Sequence, residues 1–277
     1  MNINLKHLDR YTKLSIIIII IGIVIRFYLA SIHHIAGDAC WQLSNSRFIA
    51  ENMKLPLFEQ FGRDEPFWAP PLFHILAAFV YSVFSNFAID SANFAVKIIS
   101  SILGSLTLIF FFLISRILFN KKITFYSLLF LTFIPLHLDY SVFSYIDGTL
   151  TFLVVLSIYF ALKNKLISSS ITAGFAILTK YNGVFILPAL LYIFYINNKN
   201  KVIKNLLIIA LVPILISFVW FIRNWIYLGN PVWPFMNSVF HGVDINTFTE
   251  TSVGAVNVWN IFNTNAITSL YLGIFGV

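Results

Sequence analysis

Apolar and polar positions do not alternate along this chain. They come in blocks. An apolar run opens after Lys13 and reads as a helix over residues 14–32. Uncharged stretches follow at 66–89, 98–115, 123–138, 148–162, 166–179, 181–198 and 206–222. Continuous runs of this kind predict apolar helices, whereas a membrane β-barrel would alternate residue by residue. Several blocks fall short of the roughly 20 residues a span needs, but end charges can snorkel and a helix can extend by a turn. Residues 41–53 read as an interfacial amphipathic helix with Trp41, Phe48 and Ile49 on one side. No repeat and no Gly/Ser/Pro-rich linker divides the chain, so 1–277 is expected to be a single module.

Composition narrows the class. Of 277 residues, 59% are hydrophobic and only 10% charged, against about 25% charged in a soluble domain. Such a chain cannot cover itself in water, and its thirty Phe residues exclude disorder. The expected fold class is an all-α polytopic membrane protein. A net charge of +7 would suggest nucleic acid in a soluble protein; in a membrane protein it is the positive-inside bias, and no nucleic-acid partner is expected. Cys40 is the single cysteine, so no intrachain disulfide can form. Lys6, Arg10 and Lys13 ahead of an apolar run imitate a secretion signal. No small-residue cleavage site follows, and the run is read as an uncleaved first helix.

The block 66–89 decides the topology. If it spans, Arg116, Lys121, Lys122, Lys163, Lys165, Lys199, Lys201 and Lys204 lie opposite the basic N-terminus. If it only re-enters the interface, these eight join Lys6, Arg10 and Lys13, and eleven of 18 basic residues share the cytoplasmic side. Ten of 11 acids, all but Asp9, then fall on or near the outer face. The second arrangement is preferred: cytoplasmic N-terminus, cell-membrane location, and a juxtamembrane helix over 69–84 started by Pro70-Pro71. The outer loop that contains it is long, and long ordered loops are usually functional.

Candidate chemistry collects at that outer face. Asp38 follows the first helix and is either a solvated helix cap or a carboxylate able to take a proton. Asp147 lies past the end of the 123–140 helix, and Asp139 stands eight residues earlier. His137 is either a ligand or a hydrogen-bonded residue at a helix end. His33-His34 lacks the further partners of a zinc site. Lys180 and Arg223 each end an outward helix against the positive-inside trend. Two cations beside two aspartates suit an anionic ligand such as a phosphate. Arg26 sits deeper, where a charge costs about 2.5–3.5 kcal/mol to insert, so it faces the bundle or reaches the headgroups.

In this order the residues resemble the membrane-embedded GT-C glycosyltransferases, nearest the protein-mannosyltransferase-like group (family 39 and related bacterial and archaeal proteins, including the aminoarabinose transferases). The likeness runs through Arg26, Gly37-Asp38, Pro70-Pro71-Leu72-Phe73, Lys97, Gly104, Arg116, Pro135-Leu-His137, Ser144, Asp147, Leu178-Thr-Lys180, Arg223-Asn224 and the segment from Gly229 to Pro234. It implies a GT-C helical bundle whose long first outer loop carries juxtamembrane helices. It also implies an inverting glycosyltransferase that moves a sugar from a polyprenyl-phosphate donor to an acceptor hydroxyl. Asp38 matches the first-loop catalytic base and Asp147 the second-loop acid. Lys180 and Arg223 become candidates for the lipid phosphate, and Arg26 and His137 for further substrate contacts.

Two departures stand out. Ala39 follows Asp38 where many relatives have Glu. Trp68 and Ala69 occupy the place of a Glu-Lys pair that binds metal and phosphate in some relatives, so a divalent metal stays open and no other cofactor is implied. Relatives are usually longer, and the chain is expected to lack their C-terminal part. The rival readings are a transporter or flippase for a lipid-linked or anionic substrate, and a non-catalytic truncated paralogue.

Overall fold

The computed structural model describes residues 9–62, 65–197 and 202–243. Lys6, Lys199 and Lys201 lie outside the described residues. Within them the chain is helical: α1 (Arg10–Ile32), α2 (Asp38–Asn52), α3 (Leu72–Ser85), α4 (Ile89–Leu118), α5 (Lys121–Phe133), α6 (Pro135–Tyr140), α7 (Ile146–Leu162), α8 (Leu166–Thr179), a 3₁₀ turn (Tyr181–Phe185), α9 (Ile186–Asn197), α10 (Val202–Leu228) and α11 (Asn237–Phe240). The single extended pairing among the described residues is the bridge Phe58–Pro66 in the first loop. Three helices, α1, α4 and α10, are long and apolar enough to cross a bilayer, with shorter apolar helices beside them. The chain is a helical, multi-pass membrane protein.

Local chemistry sets the helix ends. α1 starts four residues before the apolar run because Asp9 caps it, accepting from Thr12 N at 3.2 Å and Thr12 Oγ1 at 2.7 Å. Asp9 also pairs with Lys121 at 2.9 Å, which ties the start of α5 to the start of α1. We call this the lower end of the bundle and the end where α1 finishes the upper end. The helix expected over 123–140 is broken. Ile134 is extended (φ −65°, ψ 122°) and α6 restarts at Pro135, which has no N–H to offer α5. The 181–198 block likewise opens as a 3₁₀ turn before α9 begins.

The amphipathic helix differs from expectation too. α2 begins at Asp38, and its buried side carries Trp41, Asn45 and Ile49 with Gln42 and Ser46, while Phe48 is only half-buried. Polar groups are tolerated there because several are bonded. Asn45 Nδ2 donates to Trp41 O at 2.8 Å, Asn45 Oδ1 accepts from Gln60 N at 3.1 Å, and Ser46 Oγ donates to Gln42 O at 2.7 Å.

The placement of α3 governs the site. Its 14 residues make about 21 Å of helix, short of the roughly 30 Å hydrocarbon core. Lys97 on α4 donates to the carbonyl of His33, the C-cap of α1. The first two turns of α4 therefore rise beyond the end of α1. Phe73, Ala77 and Tyr81 of α3 pack on Ala92 and Val96 in those turns, with Ile146 at the start of α7. α3 thus lies at the upper rim, beside α2, and does not run alongside α1. With α3 at the rim, α4, α7 and α9 descend while α1, α5, α8 and α10 ascend. Arg10, Lys13, Arg116, Lys121, Lys122, Lys163, Lys165 and Lys204 then share the lower end.

Small residues let the spanning helices approach. Ser157 and Ser169 exchange hydrogen bonds between α7 and α8, at 2.8 and 3.0 Å. At Gly174 on α8 a Cβ would sit 2.8 Å from the Ile216 side chain and 3.0 Å from the Pro213 backbone of α10. Contacts of this type replace the hydrophobic effect, which cannot sort helices within lipid.

Candidate active site

Several segments bring polar side chains to the upper end. Gly37 (φ 57°, a left-handed value that suits glycine) turns the chain into α2 and places Asp38 in its first turn, exposed. Tyr145, the N-cap of α7, is within reach of its charge. Burial raises the Tyr145 phenol above its ordinary value, and the field of Asp38 is the next largest cause, with Tyr140, Asp139 and Cys40 adding to it. Burial also raises the Asp139 carboxyl, opposed by His33. The His33 ring leans on Phe143 at 5.5 Å. Asp38, Asp139, Tyr145 and His33 thus form one neighbourhood between the end of α1 and the start of α7.

Asp147 is two residues further, in the first turn of α7, where the helix N-terminus favours a carboxylate. Its Oδ1 accepts from Lys180 Nζ at 2.8 Å. Lys180 caps α8 in an extended conformation, which aims its side chain across at α7. Gly148 seats this start under α6: a Cβ there would stand 2.4 Å from the Tyr140 carbonyl.

The other expected site residues are elsewhere engaged. Arg26 is fully buried; its Nη1 donates to Gly22 O at 2.9 Å, and its Nη2 lies 2.8 Å from His137 Nδ1. This pair links α1 to α6 inside the bundle. Arg223 Nη2 donates to Pro56 O at 2.6 Å, and Nη1 to Phe67 O at 3.3 Å and Asn224 Oδ1 at 2.8 Å. Its guanidinium also lies 5.0 Å from the Trp220 ring centroid. The first loop is docked on α10 by these contacts and by the cluster of Trp41, Phe67, Ala69 and Trp220.

Trp68 stacks on Trp41 at 5.6 Å and Ala69 is fully buried. Both are therefore packing positions and offer no ligand. Among the described residues no three His, Cys, Asp or Glu side chains converge as a metal set would.

The structure joins Lys180 to Asp147, and Arg26 to His137, and places Asp38 in the electrostatic reach of Tyr145. It does not bring Arg223 to the Lys180–Asp147 pair by any direct contact. Tyr145 was missed from the sequence because it sits in an aromatic-rich run, 140–145, that reads equally well as an interfacial belt. Tyr181 was missed for the same reason. Its hydroxyl receives Trp220 Nε1 at 3.0 Å and Asn224 Nδ2 at 3.1 Å and joins the turn after Lys180 to α10.

Solved structures of similar fold include two of ArnT from Cupriavidus metallidurans. The form bound to undecaprenyl phosphate gives a TM-score of 0.57 at 18% identity, covering 83% of this chain and 44% of that one. The apo form gives 0.61 at 18% identity, covering 86% and 45%. The chain thus spans less than half the length of these structures, and the likeness is one of fold. No curated protein matches by sequence. The family model for dolichyl-phosphate-mannose-protein mannosyltransferases matches residues 68–227, from the end of the first loop to the last turn of α10 and more than half of the sequence. The chain belongs to the dolichyl-phosphate-mannose-protein mannosyltransferase family.

Proposed function

We propose that this chain is an inverting glycosyltransferase that moves a sugar from a polyprenyl-phosphate donor to an acceptor hydroxyl at the outer membrane face. The observation that supports it most is the pairing of Lys180 with Asp147, two residues from Tyr145, which feels the charge of Asp38, at one end of a membrane bundle of this family. The undecaprenyl phosphate bound to the ArnT structure of similar fold favours a lipid phosphate as donor group.

In this reading Asp38 is the base. It is exposed at a helix start, where an acceptor can reach it, and it takes the hydroxyl proton as the oxygen attacks the anomeric carbon. The bond from that carbon to the phosphate oxygen breaks, and direct displacement inverts the centre. Charge then grows on the departing phosphate. A cation is most effective against it where water is scarce, and Lys180 is the cation best placed to meet it. Asp147 orients the acceptor or Lys180. A lipid donor accounts for a site at the rim: the prenyl tail stays in the bilayer while the sugar meets water. Arg26 and His137 support the site from below, and Arg223 supports it through the first loop. The basic lower end faces the cytoplasm, with the N-terminus on that side.

The test is transfer itself. Membranes bearing the chain are incubated with a radiolabelled polyprenyl-phosphate sugar, and label is sought in protein, lipid and glycan fractions. Transfer lost in well-folded Asp38→Asn supports the reading. Wild-type transfer in that variant removes Asp38 as base, and if Asp147→Asn is also unaffected the reading falls.

A further inference from the structure

Among the cations near the upper end, Arg26, Arg223 and Lys180 differ in the kind of partner they hold. Arg26 is fully buried; its Nη1 and Nη2 meet the Gly22 carbonyl and His137, and its Nε is buried without a hydrogen-bond partner among the described residues. Arg223 spends its donors on two loop carbonyls, Pro56 O and Phe67 O, and on Asn224. A phosphate taking either guanidinium would have to dismantle a helix contact or undock the first loop. Lys180 is different. Its partner is a carboxylate, Asp147 Oδ1 at 2.8 Å, and the two side chains are 27% and 31% exposed. An incoming anion can replace that carboxylate like for like and leave every backbone hydrogen bond in place. The competing pair is partly exposed and therefore weak. Asp147 is still stabilised when released, because it stays in the first turn of α7, where the helix N-terminus favours its charge.

We infer that the Lys180–Asp147 ion pair is a displaceable latch: a lipid-linked phosphate takes Lys180 by displacing Asp147, so that donor binding itself frees the Asp147 carboxylate. This deepens the proposed function and rests on it. In the resting state the two groups neutralise one another. With donor bound, Lys180 neutralises the phosphate and Asp147 becomes an unpaired carboxylate at the rim, able to receive an acceptor hydroxyl only when donor is in place. The exchange is one of ionic partners, with no bond made or broken.

The latch makes a prediction opposite to that for a simple binding residue. Removing the Asp147 charge should strengthen phosphate binding, because the phosphate no longer competes for Lys180. The probe is undecaprenyl phosphate, titrated into the purified full chain in nanodiscs and followed by tryptophan fluorescence. Asp147→Asn and Asp147→Ser should each bind about two- to fivefold more tightly than wild type, the range set by the worth of a partly exposed pair. Lys180→Met should bind at least about tenfold more weakly, equivalent to about 1.4 kcal/mol or more of binding free energy. The double variant Asp147→Asn/Lys180→Met should match Lys180→Met, since Asp147 acts only through Lys180. Circular dichroism and melting temperature establish that each protein is folded, and the two Asp147 replacements guard against one failing to fold. If wild type binds and both folded Asp147 variants bind equally or more weakly, the latch is refuted while the donor-binding reading stands. If tightening persists when Lys180 is absent, the latch is likewise refuted. If neither wild type nor any variant binds the probe, the latch and the lipid-phosphate reading fall together.

Discussion

Replacing Arg223 with Met tests how the first loop is held. The guanidinium reaches Pro56 O at 2.6 Å and Phe67 O at 3.3 Å, the two ends of the 57–66 hairpin. A hydrogen bond from a charged donor is worth about 1.5–3 kcal/mol. The two do not add fully, because one group makes both and the released carbonyls can rehydrate. We take about 3 kcal/mol for opening the hairpin from α10, which at about 1.4 kcal/mol per tenfold is roughly a hundredfold in exchange rate. The reporters are the amides of Glu59 and Phe67, bonded to Glu65 O and Leu57 O at 2.8 Å each. Hydrogen–deuterium exchange with mass spectrometry, in nanodiscs, should show peptides covering 55–68 losing about two decades of protection, while α7 and α8 peptides stay unchanged. Arg223→Lys should fall between, since one ammonium cannot span both carbonyls as the fork does. If the hairpin of folded Arg223→Met exchanges as in wild type, the clamp is refuted, and stacking of Trp41, Phe67 and Trp220 alone holds the loop. A loss of undecaprenyl-phosphate binding with the hairpin still protected would instead assign Arg223 directly to the phosphate.

Asp38→Asn should slow transfer by about 10²–10⁴-fold, the worth of a general base, with donor binding kept; single-turnover assays on folded protein check it. Gly148→Ala should lower thermal stability by about 1–3 kcal/mol, because the added Cβ would lie 2.4 Å from the Tyr140 carbonyl; a melting curve decides, and a wild-type midpoint would reject the close approach. Impermeant maleimide should label Cys40 in intact cells but not a cysteine placed at Lys121 in a Cys40→Ser background; labelling at 121 would reverse the topology. His74 is fully buried against Trp41, Phe67 and Phe73, and burial pushes its imidazole down to about 3. The unfolded chain therefore binds a proton that the folded one does not, so stability falls as pH drops through 6.5 and goes on falling to about 3. The loss is at most about 5 kcal/mol, and His74→Phe should flatten the dependence of melting midpoint on pH in that window.

Much of the fold was legible in the order of residues. Block hydrophobicity identifies helices because a bilayer demands continuous apolar surface and internally bonded backbone. The charges also carry the direction of the chain. With 66–89 read as re-entering the interface, the basic turns fall together at one end, as Asp9–Lys121 at the start of α1 and α5 illustrates. Pro70-Pro71 and Gly37 mark where the loop helices begin, since each limits its own backbone. Of the candidate residues at the upper end, Lys180 and Arg223 stood out by breaking the positive-inside trend, and Asp38 and Asp147 by their places past the outer ends of helices.

Their partners were not legible. Periodicity reports which side of its own helix a residue occupies, but a contact also needs the rotation and height of a second helix, and those follow from packing along the whole length of both. Lys180 finds Asp147 33 positions away, Arg26 finds His137 at 111, and Arg223 finds Pro56 at 167. Local sequence around Arg26 and Arg223 suits a phosphate contact as well as it suits a clamp. Only the close approach at Gly174, the break before Pro135 and the seating of α3 beyond the end of α1 decide which carbonyl, ring or carboxylate each cation meets. Sequence alone thus determined the membrane class, the helices and the end of the bundle that carries the charges. Tertiary structure decided which partner each of three cations meets: a carbonyl and an imidazole for Arg26, two loop carbonyls and Asn224 for Arg223, and a carboxylate for Lys180.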